Sequence, residues 1–328
     1  MPLRLKVASK SDKGLVRPGN EDHLHLDQHN HVFAVCDGMG GHQAGEVASL
    51  LAGEILHRSF NQFSEQLLND SALNIDVPIP ATGGLLLRSI RLANRAIHRK
   101  ASGDTNFAGM GTTIVALAFE SDHLTVAHVG DSRAYRLDER EITPLTSDHS
   151  WLNEIQKSQQ ISIEEASSIV GKNIITRALG VREWVEVDYR AFKVKPGDTF
   201  FLCSDGLCGY ADDDEIARVA VRHHDNVDAL VENLIQLALD RGAPDNVTVV
   251  AVQVLEVNPT GLPQCETQTL LQESDTTLAA EDRWLEKYES TPLPDNSSGK
   301  KPNKVFLLGI FAAFAVISVL IIVFGQGK

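Results

Sequence analysis

The sequence predicts an α+β domain in which runs of β-strands alternate with pairs of amphipathic helices, followed by one apolar C-terminal segment. Two patterns support this fold class. Apolar and β-branched residues alternate or run together in short stretches that follow one another closely, as in residues 112–137. Helical periodicity occurs in pairs of segments before and after these stretches. Consecutive strands interrupted by helix pairs are typical of layered α+β domains rather than of doubly wound parallel sheets.

The individual elements follow from local patterns. The first helical region carries Val47, Leu51 and Ile55 at the spacing of one core-facing stripe. Three acidic residues beginning at Asp212 mark a helix N-terminus, where the helix dipole favours negative charge. The predicted helices are Gly45–Asn69, Leu85–Lys100, Asp212–His223 and Val227–Asp240. The predicted strands are Leu3–Ala8, His31–Cys36, Thr112–Phe119, His123–Val129, Ala134–Leu137, Val185–Phe192, Thr199–Cys203 and Val247–Leu255.

The composition excludes one class of partner. A formal net charge of −14 leaves no basic footprint for nucleic acid, so no nucleic-acid partner is expected. With 328 residues and 43% hydrophobic content, the chain can bury a large core. Its cysteines form no C-x-x-C pair and no zinc spacing, and we expect free thiols in a reducing compartment.

The C-terminal segment has the length and composition of a membrane span. Val305–Phe324 contains no charged residue, and as a helix it would be about 30 Å long, the thickness of a bilayer's hydrocarbon core. Lys300, Lys301 and Lys304 precede it, which favours a cytoplasmic location for everything N-terminal to it. The sequence therefore predicts a single-pass C-terminal anchor in the lipid bilayer over residues 304–324, with residues 325–328 as a short tail.

Between the folded region and this anchor the composition changes. Residues 1–256 carry the strand and helix patterns and are predicted to form one catalytic domain. Residues 257–303 are rich in Thr, Ser, Pro, Gln and acidic residues, and are predicted to form a flexible linker. Leu278–Tyr288 is the one stretch of the linker in which a short helix with an apolar face is conceivable.

The candidate chemistry lies in acidic residues placed where strands meet turns. Glu21 lies in VRPGNED, Asp37 opens the glycine-rich stretch DGMGGHQAGE, and Asp131 lies in GDSRAY. Asp205 ends the strand of FLCSDGL, and Asp245 precedes the last strand in APDNVTVV. Each of these residues alone is typical of an ordinary turn. Their shared position at strand ends is harder to explain by turn chemistry.

Carboxylates that gather at one end of a sheet repel each other unless a cation neutralises them. Oxygen ligands without His or Cys favour Mg²⁺ or Mn²⁺ over zinc. The glycine after Asp37 lets the backbone come close, so the carbonyl of Gly38 is a further candidate ligand. The sequence therefore predicts a site for divalent cations.

These motifs resemble the protein phosphatase 2C family of metal-dependent serine/threonine protein phosphatases, in its bacterial branch. The similarity covers residues 1 to about 256, where VRPGNED, DGMGG, GMGTT, GDSRAY, SDGL and DNVTVV occur in the family's order. LTSDHSWLNE and NIITRALG resemble the two ends of the bacterial flap subdomain, which would occupy about residues 144–180. The resemblance implies two stacked antiparallel β-sheets flanked by helix pairs.

The resemblance also implies roles for individual residues. Two core Mn²⁺ or Mg²⁺ ions would be bridged by Asp37, and a third, weaker ion would lie beside them. The residues matching the family's metal ligands are Glu21, Asp37, Gly38 (through its carbonyl), Asp131, Asp205 and Asp245. Arg17 matches the arginine that binds the substrate phosphate, a role that suits its planar fork of donors. Judged from the residues alone, Arg17 is better explained as an exposed turn residue beside Pro18 than as a phosphate ligand.

The implied activity is hydrolysis of phosphoserine and phosphothreonine in proteins by a hydroxide that bridges the two core ions, with Arg17 and Asp37 as catalytic residues. The implied partners are phosphorylated proteins, including a serine/threonine kinase that the enzyme would oppose. One alternative is a catalytically weak scaffold that binds phosphoproteins. Another is a partner-switching phosphatase of an anti-sigma-type system, a branch that resembles this chain poorly because it lacks the arginine and the flap.

One position departs from the family pattern. Met39 follows the Asp-Gly pair where many eukaryotic members have a histidine proposed as the general acid. His42 and His149 are the candidates to replace it, although both are equally explained as ordinary turn or flap residues. Bound water is the remaining source of the proton.

Overall fold

The computed structural model describes residues 2–40, 44–73, 79–159, 174–270 and 275–291, and within them the chain forms two antiparallel sheets and eight α-helices. The strands are β1 (Arg4–Asp12), β2 (Asp22–Asp27), β3 (Val32–Met39), β4 (Gly111–Thr112), β5 (Ile114–Glu120), β6 (His123–Val129), β7 (Arg133–Leu137), β8 (Ile142–Pro144), β9 (Val187–Lys193), β10 (Thr199–Cys203), β11 (Val247–Glu256) and β12 (Cys265–Leu270). The helices are α1 (Ala44–Asn61), α2 (Ser64–Asn69), α3 (Ala81–Gly103), α4 (Trp151–Gln159), α5 (Asp205–Cys208), α6 (Asp213–Arg222), α7 (Val227–Asp240) and α8 (Asp275–Ser290).

In both sheets, strands that are far apart in the sequence lie beside each other. One sheet has the order β1-β11-β10-β7-β8, and the other has the order β12-β9-β6-β5-β3-β2, with β4 paired to β3. All strand pairings are antiparallel. The α+β class predicted from the sequence, with two antiparallel sheets and flanking helices, is confirmed.

The period of two along each strand divides its side chains between two layers. In β10, Phe200 and Leu202 enter the core between the sheets, whereas Phe201 and Cys203 face α6 and α7. Phe119 of β5 meets Phe33 of β3 in its own sheet edge to face at 6.2 Å, and an edge-to-face contact of 5.9 Å with Phe200 of β10 connects the two sheets. Side-chain alternation therefore fixes which residues of a strand can reach the layer between the sheets.

The helices cover the outer faces of the sheets. Helices α1 and α3 pack on the second sheet, and α7 packs on β1 and β11 of the first. Helix α6 begins with a capping box between Asp212 and Glu215, and Asn226 caps α7 by accepting bonds from two backbone N–H groups. The predicted helix Gly45–Asn69 is in fact two helices, α1 and α2, separated by Gln62 and Phe63.

The predicted linker differs from the structure in its middle part. Strand β12 pairs antiparallel with β9, and α8 follows it, so the prediction of a flexible chain is wrong for these residues. The sequence CETQTL shows no apolar alternation because β12 is a largely exposed edge strand that is held by backbone pairing. Helix α8 includes Leu278–Tyr288, the stretch of the predicted linker whose apolar residues allowed a short helix.

The chain divides into two compact units, Met1–Asp282 and Arg283–Lys328. In the second unit the described residues complete α8, and the rings of Trp284 and Tyr288 meet edge to face at 6.2 Å. The predicted membrane span Val305–Phe324 lies outside the described residues. Among the helices that the structure describes, none is both long and apolar enough to cross a bilayer.

Ion pairs of Glu281 and Asp282 with arginines of α3 attach the end of the first unit to this helix. Arg91 Nε lies 3.0 Å from Glu281 Oε1, with side chains only 7% and 4% exposed. Arg95 binds both carboxylate oxygens of Asp282, at 2.8 and 2.7 Å, and also lies 2.6 Å from Glu183. Removing one partner of a buried pair leaves an uncompensated charge, which costs far more than loss of an exposed pair.

We predict that Glu281→Gln lowers the free energy of unfolding by about 3 kcal/mol, because Arg91 would stay buried with its charge unpaired. The double variant Arg91→Met/Glu281→Leu should recover most of the loss. The control is Glu256→Gln, which removes an exposed pair with Arg4 and should cost less than about 1 kcal/mol. Urea unfolding measures all three. Equal effects of Glu281→Gln and Glu256→Gln would contradict the assignment of a buried pair.

Candidate metal centre

Five aspartates meet at one end of the two sheets because their strands end or begin there. Asp22 begins β2 and lies directly opposite Asp37 in the register of β2 with β3. Asp131 lies in the turn between β6 and β7. Asp205 begins α5 just after β10, and Asp245 lies just before β11. The sheet topology thus brings together residues that are far apart in the sequence.

The carboxyl groups are close enough to perturb one another. The carboxyl group of Asp37 lies within hydrogen-bonding reach of those of Asp22 and Asp205. Burial raises the pKa of Asp37 well above its usual range, and the adjacent Asp22 charge raises it further. Burial likewise raises the pKa of Asp22 and of Asp205. Burial, and then the charge of Asp205, raises the pKa of Asp131 to about 7.

Glu21 and Gly38 form the side of the cluster nearest α1. Gly38 N donates to the carbonyl of Glu21 at 3.1 Å, and the Glu21 carboxylate accepts from the backbone of Gly45 in the first turn of α1. A Cβ atom at Gly38 would lie 2.1 Å from the carbonyl oxygen of Gly45, so only glycine fits there. Burial raises the pKa of Glu21.

Hydroxyl and amide side chains hold the acidic residues in place. Thr113 Oγ1 accepts from the backbone N–H of Asp37 at 3.1 Å. Ser204 Oγ donates to Asp22 Oδ2 at 2.8 Å. Asn246 accepts from Glu21 N at 2.8 Å and donates to two carbonyls of the preceding loop. These three supporting residues lie inside the motifs GMGTT, SDGL and DNVTVV, but the motifs alone did not indicate their role.

Arg17 lies on the rim of the cluster. Its guanidinium donates to Asp245 Oδ2 at 2.7 Å, and its side chain is 49% exposed. The bond with Asp245 raises the pKa of Arg17, which stays charged. One such bond uses one of five N–H donors, so the others are available to a ligand arriving from solvent.

The structure brings all of the predicted site residues to one region, at the end of the two sheets. They are Arg17, Glu21, Asp37, Gly38, Asp131, Asp205 and Asp245. The structure adds Asp22, the last residue of VRPGNED, to which the sequence patterns assigned no role. The available signal was its place at the start of a strand that must pair with the strand carrying Asp37.

Three positions bear on the source of the proton for the leaving group, and the structure describes two of them, Met39 and His149. Met39 pairs with Gly111 of β4 and offers no titratable group. His42 lies outside the described residues. His149 is buried, and its two ring nitrogens are bonded to Gly130 N at 3.1 Å and to Asp188 Oδ2 at 3.1 Å. With both nitrogens engaged inside the protein, His149 does not suit direct proton donation to a substrate.

The acidic cluster fits divalent cations such as Mn²⁺ and Mg²⁺. Its donors are all oxygen atoms, which these hard cations prefer. Within the described residues, Oδ1 of Asp22 and Oδ1 of Asp131 are buried without a hydrogen-bond partner. Buried acceptors that no donor satisfies, together with raised carboxyl pKa values, are expected of a cation site considered without its cation.

Fold and cluster together define a class, namely two-sheet α+β domains whose acidic residues suit divalent cations. Comparisons with known proteins then give the family. Residues 13–247 match the family model described as Protein phosphatase 2C. The chain belongs to this family, and the resemblance seen in its motifs is confirmed.

The similar proteins are named as serine/threonine phosphatases. Over 257 residues the chain is 36% identical to the serine/threonine protein phosphatase PstP of Mycobacterium tuberculosis, covering 77% of this chain and 46% of that protein. The chain thus spans about half of that relative's length. It is 33% identical over 247 residues to the serine/threonine phosphatase stp of Listeria monocytogenes, covering 74% of this chain and 94% of that protein.

Solved structures agree with the fold. The catalytic domain of PstP in complex with two manganese ions matches with a TM-score of 0.63 at 33% identity, over 77% of this chain and 100% of that one. The serine/threonine phosphatase Stp1 of Staphylococcus aureus matches with a TM-score of 0.67 at 33% identity, over 78% of this chain and 98% of that one.

The raised carboxyl pKa values predict how the metal-free protein responds to pH. A carboxyl group whose folded pKa exceeds its unfolded value stabilises the fold only while it is protonated, so stability is lost as pH rises through the folded value. For Asp131 that value is about 7. Titration of Asp131 should therefore lower the Tm in chelator by about 2 °C between pH 6.5 and 8. His25 and His128, whose pKa values burial lowers to about 4, act in the opposite direction as pH rises to their ordinary value of 6.5 and slightly above it, so the contribution of Asp131 is isolated by comparison with a variant.

Asp131→Asn is the matched variant for this measurement. In chelator at pH 8 its Tm should exceed that of the wild type, because one repelling charge is gone. Its decline with pH should also be smaller. Saturating Mn²⁺ should remove most of the wild-type decline. A wild-type Tm that rises across this window in chelator would contradict the prediction.

Proposed function

We propose that this chain is a metal-dependent protein-serine/threonine phosphatase, a phosphoric monoester hydrolase. The observation that carries the proposal is the cluster of carboxylates with raised pKa values at the sheet ends, bordered by an exposed arginine. A cluster of this kind needs cations, and cations beside an arginine suit a phosphate dianion. The names of the related phosphatases support the same reaction.

The ions would be Mn²⁺ or Mg²⁺, two in the core and a third bound more weakly. When bound, they supply positive charge that neutralises the phosphate and lowers the pKa of water for attack on phosphorus. The residues that would hold them are Glu21, Asp37, the Gly38 carbonyl, Asp131, Asp205 and Asp245. Asp37 would be shared by the two core ions, and Asp131 and Asp205 would hold the third.

The chain's own residues then orient the substrate and the ligands. Arg17, half-exposed on the rim, would donate parallel hydrogen bonds to the phosphate oxygens. Ser204 holds Asp22, and Thr113 fixes the backbone of Asp37, so these carboxyl groups need little rearrangement during turnover. Because His149 is engaged internally, the leaving serine or threonine oxygen would take its proton from solvent water.

The substrates would be phosphorylated proteins, including a serine/threonine kinase whose action the enzyme reverses. The scaffold alternative is less well supported, because a protein that only binds phosphate has no need of the complete set of acidic residues. The partner-switching alternative is less well supported because Arg17 and the flap ends are present. In the flap, Ser150 pairs with Ile175, and Thr112 pairs with Leu179.

We also propose the domain organisation and the membrane anchor. The catalytic unit extends past residue 256 to include β12 and the start of α8, with the flap at about residues 144–180. Residues 304–324 would cross the membrane once, with the catalytic unit on the cytoplasmic side next to Lys300, Lys301 and Lys304. The chain from Thr291 to Lys304 can span at most about 45 Å, which keeps the catalytic unit near the bilayer.

The activity is tested with a threonine-phosphorylated peptide in the presence and absence of Mn²⁺. Phosphate release should require millimolar Mn²⁺ or Mg²⁺, and Asp37→Asn should lower kcat by about a hundredfold or more, because it removes charge shared by two ions. Arg17→Ala should act mainly on KM, through binding of the phosphate. The control is Asp225→Asn, an exposed acidic residue between α6 and α7, which should behave as the wild type. Full activity in excess chelator would exclude the mechanism.

The anchor is tested by fractionation of cells that produce the full chain. Full-length protein should sediment with membranes and resist alkaline carbonate, because residues 305–324 are apolar enough to stay in the bilayer. A chain ending at Thr291 should be soluble and should keep its activity on small substrates. Protease added outside intact spheroplasts should not reach the catalytic unit. Recovery of the full-length chain in the soluble fraction would refute the anchor.

A further inference from the structure

A series of hydrogen bonds leads from the C-terminal strand β12 to the turn that carries Asp131. Thr269 Oγ1 donates to Asp188 Oδ1 at 2.7 Å, and Asp188 Oδ2 lies 3.1 Å from His149 Nε2. His149 Nδ1 accepts from Gly130 N at 3.1 Å, and His149 N donates to Gly130 O at 3.0 Å. Gly130 immediately precedes Asp131, so the series ends at the acidic cluster.

The geometry fixes the tautomer of the imidazole. Because Nδ1 of His149 accepts from a backbone N–H, the ring proton must be on Nε2, which donates to Asp188. The ring of His128 stacks on His149 with centroids 4.5 Å apart, which limits rotation of the imidazole. Arg177 donates to the same Asp188 oxygen as Thr269, at 3.1 Å, and balances its charge. His149 is thus oriented from three sides.

Gly130 lies next to Asp131 in the sequence and also packs against the residue that fixes Asp37. Its φ is +111°, and a Cβ atom there would lie 2.6 Å from Thr113 Cγ2. Thr113 Oγ1 accepts from the backbone of Asp37 and also bonds to Ser132 at 2.8 Å. The turn held by His149 therefore packs against the threonine that fixes Asp37.

A second attachment joins the same C-terminal segment to the base of the flap. Asp282 binds Arg95, which also contacts Glu183. The side chain of Asn94, on the same helix, donates to the carbonyls of Arg182 and Glu183 at 3.2 and 3.1 Å. Both attachments come from residues beyond 247, where the match to the family model ends.

We propose that the C-terminal segment, through Thr269 of β12 and through Asp282, braces the active site, and that Thr269, Asp188 and His149 are positioning residues for the Asp131 turn. The brace acts through backbone placement, because none of the three side chains contacts the acidic cluster itself in the hydrogen bonds described. The segment thus makes turnover depend on residues at the boundary between the catalytic unit and the C-terminal region. This inference extends the proposed phosphatase function and rests on it for its kinetic readout only.

The first test compares Thr269→Val with Thr269→Ser in the full-length chain. Valine removes the donor to Asp188 while it keeps the strand, and serine retains it. Thr269→Val should lower kcat by about threefold or more and leave KM for a phosphopeptide nearly unchanged, whereas Thr269→Ser should restore kcat. Thr267→Val, an exposed threonine two residues earlier in β12, is the matched control and should behave as the wild type.

A second readout does not need an active enzyme. In chelator-treated protein labelled with ¹⁵N-histidine, the wild type should show His149 with a proton on Nε2 and none on Nδ1. Thr269→Val should shift these resonances and Thr267→Val should not. An inactive wild type with the expected histidine signals would reject the phosphatase proposal and leave the brace supported. Unchanged signals and unchanged kcat in Thr269→Val would reject the brace.

A pair of variants distinguishes the contributions of the two hydrogen bonds made by the His149 side chain. In His149→Asn the side-chain oxygen replaces Nδ1 and keeps the bond to Gly130, whereas in His149→Gln the amide nitrogen replaces Nε2 and keeps the bond to Asp188. His149→Gln should lower kcat by about tenfold and raise the Mn²⁺ concentration needed for half-maximal activity, and His149→Asn should do so less. The reverse order, at equal Tm, would contradict a role in placing the Asp131 turn.

Discussion

Repulsion between carboxylates gathered at the ends of the two sheets is the constraint on which the rest of the domain depends. Two like charges about 4 Å apart in a partly hydrated protein repel by roughly 4 kcal/mol. The whole stability of a domain is only about 5–15 kcal/mol. A single neutral hydrogen bond, worth about 1 kcal/mol, cannot offset one such pair. Without metal, the carboxyl groups reduce this repulsion by staying protonated to higher pH, as their raised pKa values indicate. In the functional protein, bound cations would neutralise their charges.

The apolar core keeps the acidic residues in a fixed register. Phe33 and Val35 of β3 point into the layer between the sheets, and Asp37 continues the same row by the period of two. A slip of one residue in β3 would turn Phe33 and Val35 away from the layer between the sheets and turn Asp37 towards α1. The same pairing sets Asp22 directly opposite Asp37. Burial of the phenylalanine and valine side chains therefore holds together two carboxylates that would otherwise separate.

Sequence patterns could predict what depends on local periodicity. Helix α7 has the range predicted for it, and the strands of the core were found because their apolar residues are continuous. Asp22 received no role, because a turn and the first residue of a short strand look alike without the pairing partner. Strand β12 was missed because its stability comes from backbone bonds to β9 rather than from its own side chains. The two bonds of His149 depend on Gly130 and Asp188, which are distant in sequence, so no local motif reveals them.

The strength of the brace limits what it can do. Its links are single hydrogen bonds, and a bond to a charged group contributes about 1.5–3 kcal/mol, of which only part can reach the Asp131 turn. Differences of 1–3 kcal/mol between two states change an equilibrium by about 5- to 150-fold, so the connection adjusts turnover and does not switch it off. The Arg91–Glu281 pair is different, because both charges are buried and loss of one partner would destabilise the fold as a whole. The C-terminal segment therefore combines a strong structural attachment at α3 with a weaker, adjustable one at Asp188. A segment with only the strong attachment would add stability without affecting the site, and one with only the weak attachment would not stay in place to affect it.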